Sequence, residues 1–472
     1  MKNILTTQML LFVLLVIYGC AVGPDYERPD APTSSSYKEL KGWREALPRD
    51  QEIKTKWWEA FGDPTLNTLA EQVNVSNQSI ALAESQYRQA LALVQTARSN
   101  YFPSIGAAAA FTRSGQAGDN SGTVNQHQVS LNAAWEVDLW GRVRRQVESS
   151  SASAEASFAD LQAMRLSMQT ELALNYFQLR TLDAQKKNLE EAVEAYKKAL
   201  ELTSNRYKAG VAAKTDVAAA QTQLKSTQAQ AIDVGVQRAQ LEHALAILIG
   251  KPPAVFSLPS VTFVQPQINI PVGIPSELLE RRPDIGSAER KMAAANAQIG
   301  VAKAAYYPSL TLSGSVGYQS AALASLFTTP SFFWALGPMA LATTLFDGGA
   351  RKAQTERAMA AYDGTVAFYR QTVLAAFQDV EDNLAALRIL DEEAQMQEQA
   401  VNYARESLTL STNQYRAGIV NYLNVVTAQS IALSNERAAI SISGQRLKSA
   451  ALLIKALGGG WSAPETPSVD QK

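Results

Sequence analysis

The chain of 472 residues has one cysteine, Cys20, and only two histidines, His127 and His243. A lone cysteine excludes any disulfide within the chain. Two histidines in different predicted elements supply neither a His-rich metal cluster nor a Ser-His-Asp arrangement. Paired catalytic acids are missing as well: the carboxylates are scattered along helical runs as solvated or tunnel-lining faces. Gly348-Gly349 does not extend into a phosphate-cradling loop. No catalysis, cofactor or metal is expected. Charge of one sign is also lacking, with 43 Lys and Arg against 44 Asp and Glu for a net charge of -1. No broad cationic face exists to neutralise a phosphate backbone, which excludes nucleic acid as a partner. Nor does any apolar run reach the ~20 residues a membrane-spanning helix needs.

What the N-terminus does have is Lys2, an apolar run from Met9 to Tyr18, and then Gly19-Cys20. The run is too short to span and reads as a secretory signal over residues 1–19. Cys20 sits where such a signal is cut. Its thiol is therefore expected to carry diacylglycerol and its amine a further acyl chain, anchoring the mature chain to a membrane. An ordinary signal with an incidental cysteine is the alternative. With 46% hydrophobic and 18% charged residues, the remainder describes an ordered protein.

The chain is a duplication. Tyr207-Lys208-Ala209-Gly210-Val211 recurs as Tyr415-Arg416-Ala417-Gly418-Ile419, an offset of 208 that also carries Val217 to Val425, Gln237-Arg238 to Gln445-Arg446, and Gly250 to Gly458. At nearly that offset Tyr101-Phe102-Pro103-Ser104 recurs as Tyr306-Tyr307-Pro308-Ser309. Arg142 to Lys208 contains neither proline nor glycine, which predicts one helix of roughly 100 Å. Its counterpart runs from Ala350 to Ala417, with Gly364 the only breaker. In the return helix, Val217, Leu224, Ala231, Arg238 and Leu245 alternate with Ala220, Thr227, Val234, Leu241 and Leu248 in a heptad pattern. Small knobs allow more than one packed neighbour, although a solvated two-helix hairpin also fits.

From Gln128 to Leu139 apolar Val129, Leu131, Ala133, Trp135, Val137 and Leu139 alternate with mainly polar residues, and Leu310, Leu312, Val316 and Tyr318 repeat the pattern. Period two over about 10 to 12 residues is the signature of a membrane-crossing strand with one greasy and one wet face. With the runs Ile105 to Phe111 and Phe332 to Phe346, four strands per chain are predicted. Four strands cannot close a barrel, and an open edge is not tolerated in lipid. Several chains must then share one barrel, a trimer giving twelve strands with quasi-six-fold symmetry. A soluble β-sandwich is the alternative for the strands alone.

Cys20-Ala21-Val22-Gly23-Pro24-Asp25-Tyr26, Trp57-Trp58 with Phe61-Gly62-Asp63-Pro64, Glu280-Arg281-Arg282-Pro283-Asp284-Ile285, Tyr307-Pro308-Ser309-Leu310 and Tyr415-Arg416-Ala417-Gly418 follow in order. In that order they resemble the TolC-like outer-membrane factors, in particular the lipoprotein branch serving resistance-nodulation-division drug pumps, over essentially the whole mature chain. The resemblance implies a homotrimer with a 12-stranded transmembrane β-barrel, four strands per protomer, continued by a long α-helical periplasmic barrel. It also implies a periplasmic adaptor and an inner-membrane resistance-nodulation-division transporter as partners, with outer-membrane lipid around the strands. The function implied is the exit duct of a tripartite efflux pump for drugs or other small toxic molecules. A duct for secreted polypeptide and a non-conducting periplasmic spacer are the other readings.

On this frame the chain divides into a signal (1–19), an anchored equatorial segment (20–65), short helices (66–100), a first β-hairpin (101–140) and a long helix pair (141–250). A linker (251–280), a helix (281–305), a second hairpin (306–347), a second long pair (348–458) and a tail (459–472) follow. The resemblance places the periplasmic gate and adaptor-docking tip at Tyr207 to Gly210 and Tyr415 to Gly418. Each turn ends one long helix with a glycine able to enter the left-handed region. It puts Thr215 and Asp216 at the inner gate, with Asn424 and Thr427 at positions that are acidic in some members and neutral here. Three Asp216 side chains would then form an anionic ring, with closure held mainly by Tyr207, Tyr415 and amide hydrogen bonds. A helix N-cap is the competing role for Asp216. Arg281-Arg282 is read as the lead into a helix begun by Pro283 rather than as an anion site.

Overall fold

A computed structural model describes residues 21–32, 36–39, 56–115, 123–261 and 282–459. Cys20, the signal, Glu280, Arg281 and the tail beyond Gly459 lie outside the described residues. Seven helices are described: α1 Pro64–Ser76, α2 Gln78–Ser99, α3 Arg142–Lys208, α4 Lys214–Leu248, α5 Pro283–Ala304, α6 Ala350–Arg416 and α7 Tyr422–Ala456. Four strands stand between them: β1 Ser104–Gly115, β2 Thr123–Val137, β3 Ser309–Ser320 and β4 Phe332–Ala342. The order repeats, as the duplication requires: helix, hairpin, a helix of 67 residues, a turn and a helix of 35. Gly364 does not interrupt α6. No described helix is long and apolar enough to cross a membrane.

The strands form one antiparallel sheet in the order β1-β2-β3-β4. Its register sorts the side chains into two faces, because neighbours along a strand point opposite ways. On one face, Ala107 lies opposite Leu131, Leu131 opposite Val316, and Val316 opposite Trp334. Trp135, Leu312 and Met339 form a second apolar row, and Val137, Leu310 and Leu341 a third. On the other face Ser130 and Asn132 meet Gly317 and Ser315. None of the residues of the apolar rows is buried: Leu336 is 88% and Trp334 72% exposed, and Trp135, Val137, Leu310 and Leu312 are half-exposed. The less regular run at Phe332 is explained by Pro338 and by a register shift between Leu312 and Gly314.

Two strand ends fall short of expectation for one reason: the helices claim the next carboxylate. Alternation continues to Leu139, yet β2 stops at Val137 because Asp138 accepts the backbone N–H groups of Val143 and Arg144 at 2.9 Å each, capping α3. The run predicted to Phe346 stops at Ala342. There Asp347 accepts from the N–H groups of Gly349 and Arg351 and from Arg351 Nε, which holds its carboxyl below the usual carboxylate range.

Contacts divide the chain into two compact units. In the first, the sheet and the helices attached to it are crossed by the segment that follows Cys20. Val22 donates its N–H to Trp140 O at 3.0 Å, and Arg145 reaches Asp25 at 2.7 Å and Glu148 at 2.8 Å. Tyr26 donates its hydroxyl to Glu289, and the Arg28 guanidinium donates to the Tyr369 hydroxyl. Gly23, at φ +110, comes so close to Gly300 that a Cβ on it would stand 2.5 Å from the Gly300 Cα.

In the second unit Trp57, Trp58 and Phe61 form a buried 3-10 turn, with the Phe61 ring tilted against Phe177 at 4.7 Å between centroids. Six heptad positions of α4 are buried, Ala220, Leu224, Thr227, Val234, Leu245 and Leu248, joined off the pattern by Ala246. Leu224 and Val234 share a core with Leu182, Leu189, Val193 and Tyr196 of α3 and Leu433 of α7. Three helices around one core replace the simple hairpin. Arg282 is committed to Asp284, Asp379 and the Ala456 carbonyl, and Pro283 begins α5.

The repeat also carries a polar clamp. Asp183, its side chain 1% exposed, receives Arg180 Nη1 at 3.1 Å and Arg238 Nε at 2.7 Å. Those arginines hold the carbonyls of Pro259 and Leu258. At the offset of the repeat, Asp391 receives Arg446 at 2.6 Å, while Arg388 binds Glu39 at 2.6 Å. Both clamps tie a connecting segment to a long helix, but the second Asp is 53% exposed.

Candidate functional site

The returns from α3 to α4 and from α6 to α7 are built from the same backbone device. Gly210 donates to Tyr207 O at 2.9 Å and Val211 to Arg206 O at 2.9 Å. Gly418 donates to Tyr415 O at 3.0 Å and Ile419 to Gln414 O at 2.9 Å. These paired bonds close a Schellman motif, which needs a left-handed residue just past the helix, and Gly210 and Gly418 stand at φ +73 and +77. Val211 and Ile419, next along, are 65% and 73% exposed, so each turn presents an apolar residue at its apex.

The entries to the return helices differ. Asn421 caps α7, its side chain accepting the Asn424 N–H at 3.3 Å. Ala213 occupies the corresponding place in α4 and offers no side-chain bond. Asp216 is therefore not an N-cap, which corrects that reading. It lies in the first turn of α4, donating its N–H to Ala213 O at 3.1 Å, where a carboxylate faces the positive end of the helix dipole. Asp216 is partly exposed and Thr215 exposed. Thr427 is exposed, but its hydroxyl is committed to Leu423 O at 3.0 Å within its own helix.

The two tyrosines are not equivalent either. Tyr207 is 44% exposed and Tyr415 only 4%. Tyr415 packs edge-on against Tyr422 with centroids 5.2 Å apart, and its hydroxyl reaches Thr203 Oγ1 at 3.4 Å. Arg206 lies over its ring at 4.8 Å and donates to the Arg416 carbonyl at 2.9 Å, so a first-repeat side chain satisfies the end of the second long helix. Ala220, Tyr415, Tyr422 and Val425 make the core beneath the turns. Burial is the main reason the Tyr422 hydroxyl is pushed up to about 12. A Gln429 hydrogen bond opposes that shift, and the nearby Tyr415, Tyr196 and Asp216 reinforce it. Asp216 is thus felt electrostatically at the aromatic cluster.

Sequence reasoning selected both turns but missed Arg206, Thr203, Asn421 and Tyr422. The signal available was the places where the repeat fails: Arg206 corresponds to Gln414, Tyr422 to Lys214, and Asn421 to Ala213. Further along the helices, a polar hollow of about 520 Å³ between α3, α4 and α7 is lined by Gln223, Gln230, Ser434 and Arg437. Its amide and hydroxyl lining holds no metal-binding group, and no cluster of His, Cys, Asp or Glu able to hold a metal occurs among the described residues.

Comparison with known proteins places this arrangement. The profile of the outer membrane efflux protein family matches residues 69–251 and 274–459, the two halves of the duplication. The outer membrane protein OprJ of Pseudomonas aeruginosa is 32% identical over 464 residues, 96% of this chain and 95% of that protein. The toluene efflux pump outer membrane protein TtgC of Pseudomonas putida is 30% identical over 469 residues, 98% of this chain and 96% of that protein. The solved structure of the outer-membrane channel OprN superposes with a TM-score of 0.88 at 30% identity, covering 94% of this chain and all of that one.

Proposed function

This chain belongs to the outer membrane efflux protein family and is an outer-membrane efflux channel component; from that premise we propose that three copies close one 12-stranded barrel and form a gated exit duct for small toxic molecules. The carrying observation is the four-stranded sheet, whose apolar face is left exposed or half-exposed and whose outer strands β1 and β4 are its edges. In lipid those edges need partners, and copies of the same chain supply them. An inner-membrane resistance-nodulation-division transporter and a periplasmic adaptor complete the pump in this reading, with the adaptor meeting the two turns. The exposed apexes Val211 and Ile419 support that placement. Acylation of Cys20 adds the anchor to outer-membrane lipid.

The gate is read at the same turns. Gly210 and Gly418 set the turns. Asp216, with Thr215 beside it, forms a three-fold anionic ring. Exposed Tyr207 contributes to closure between copies, whereas Tyr415 is a brace within one copy. Asn424 and Thr427 line the same end without charge. Reconstitution in a planar bilayer tests the reading: the purified protein should give stepwise, cation-selective conductance, and Asp216→Ala should weaken the selectivity. Absence of conductance from intact trimers would leave a spacer, and unchanged selectivity would remove the ring. Loss of drug resistance on deletion separates small-molecule export from polypeptide export.

A further inference from the structure

The apolar face of the sheet changes character at its hairpin end. All four strands join helices at the opposite end, so the strand ends at Gly115 and Ser320 mark its outer end in the reading above. Near that end the face carries a belt of rings: Phe111 against His127 at 4.8 Å, and Tyr318 against Phe332 at 5.6 Å and Phe327 at 5.5 Å. Such a belt marks a membrane interface. Arg113 lies just outside it, opposite Asn125, and His127 lies opposite Ser320. Residue parity puts Arg113, Asn125 and His127 on the same face as Phe111.

Arg113 is the only Lys or Arg in the four strands. Glu136, the one acidic side chain in them, is on the opposite face and is taken by Arg142 at 2.6 Å. Arg113 therefore faces outward with no carboxylate on its side of the sheet among the described strand residues. A guanidinium on the lipid side is costly at mid-bilayer and nearly free at the boundary, which fixes the depth of this residue. Five N–H donors and no acceptor require an anionic or oxygen-rich partner, and the planar fork suits a phosphate. On the neighbouring strand the Asn125 amide adds donors directly opposite, at about 5 Å between Cβ atoms, and an imidazole N–H of His127 adds one on the diagonal, at about 7–8 Å.

We propose that Arg113, Asn125 and His127 form a binding site for the phosphate of an outer-leaflet glycolipid, with the ring belt below them packing on its acyl chains. The site rests on the outer-membrane placement above. It is tested on the full-length trimer in detergent by native mass spectrometry, with bisphosphorylated lipid A, its dephosphorylated form and phosphatidylglycerol as separate probes. Bisphosphorylated lipid A should bind in up to three copies per trimer, and Arg113→Gln should weaken it by about tenfold. Asn125→Ala and His127→Gln should weaken it less, and the dephosphorylated form should not bind. Three results each overturn the site: equal binding by Arg113→Gln, equal binding of the dephosphorylated lipid, or phosphatidylglycerol binding as tightly as lipid A. Conductance of Arg113→Gln reports separately on the channel reading. Normal channels with unaltered lipid binding sink only this site, and failure of the native protein to form trimers sinks the reading beneath it.

Discussion

At Tyr422 an exposed-looking tip holds a buried phenol, and this has a pH signature. Burial raises its hydroxyl from 10.0 to about 12, so between those values the folded chain retains a proton that the unfolded chain has released. The associated stability is fully present below pH 10 and is lost as pH rises toward about 12. Denaturant midpoints measured across this window should fall for the native protein and fall less for Tyr422→Phe; parallel curves would show that the phenol contributes nothing. The turn glycines were legible in the sequence because a left-handed residue after a long helix has few alternatives. The unlike fates of Tyr207 and Tyr415 were not, because duplication presents them as twins. What separates them is a neighbour present once: Arg206 lies over Tyr415, and Tyr422 packs on it from a position that is Lys214 in the first repeat.

Among the elements, the duplicated clamps should respond unequally. Asp183→Asn leaves the Arg180 charge buried with its carboxylate gone, a loss of about 3–5 kcal/mol. Asp391→Asn removes an exposed pair and should cost less than about 1 kcal/mol. Heat resistance of the purified trimer checks this: a sharp drop for the first and a slight one for the second are expected, and equal drops would refute the distinction. The long helices were readable because 67 residues with no proline and at most the single Gly364 leave a helix little competition, and the strands because alternation is the only pattern serving two unlike faces. Their ends were not, since Asp138 and Asp347 fit an alternating pattern as well as they cap a helix, and only the backbone N–H groups they receive decide.

On the scale of the assembled molecule, β1 and β4 of one chain are separated by two strands, hence about 14 Å, too far for a disulfide. Cysteines at Ala108 and Ala335, both on the face opposite the apolar rows, should therefore cross-link only between copies. Oxidation of the double variant should yield covalent dimers and trimers on denaturing gels, and monomer alone would rule out a seam that pairs these two positions. The strap after the signal bears on how such an assembly meets the bilayer. Ala21 lies against Gly141, Val22 is bonded to Trp140, and Gly23 touches Gly300. If Cys20 is acylated as proposed, its lipid would join the chain one residue before this held segment beside the foot of the sheet. The three acylated corners of a trimer would on that reading enter the bilayer close to set positions around the staves and hold the pore upright, in the way guy lines steady a mast.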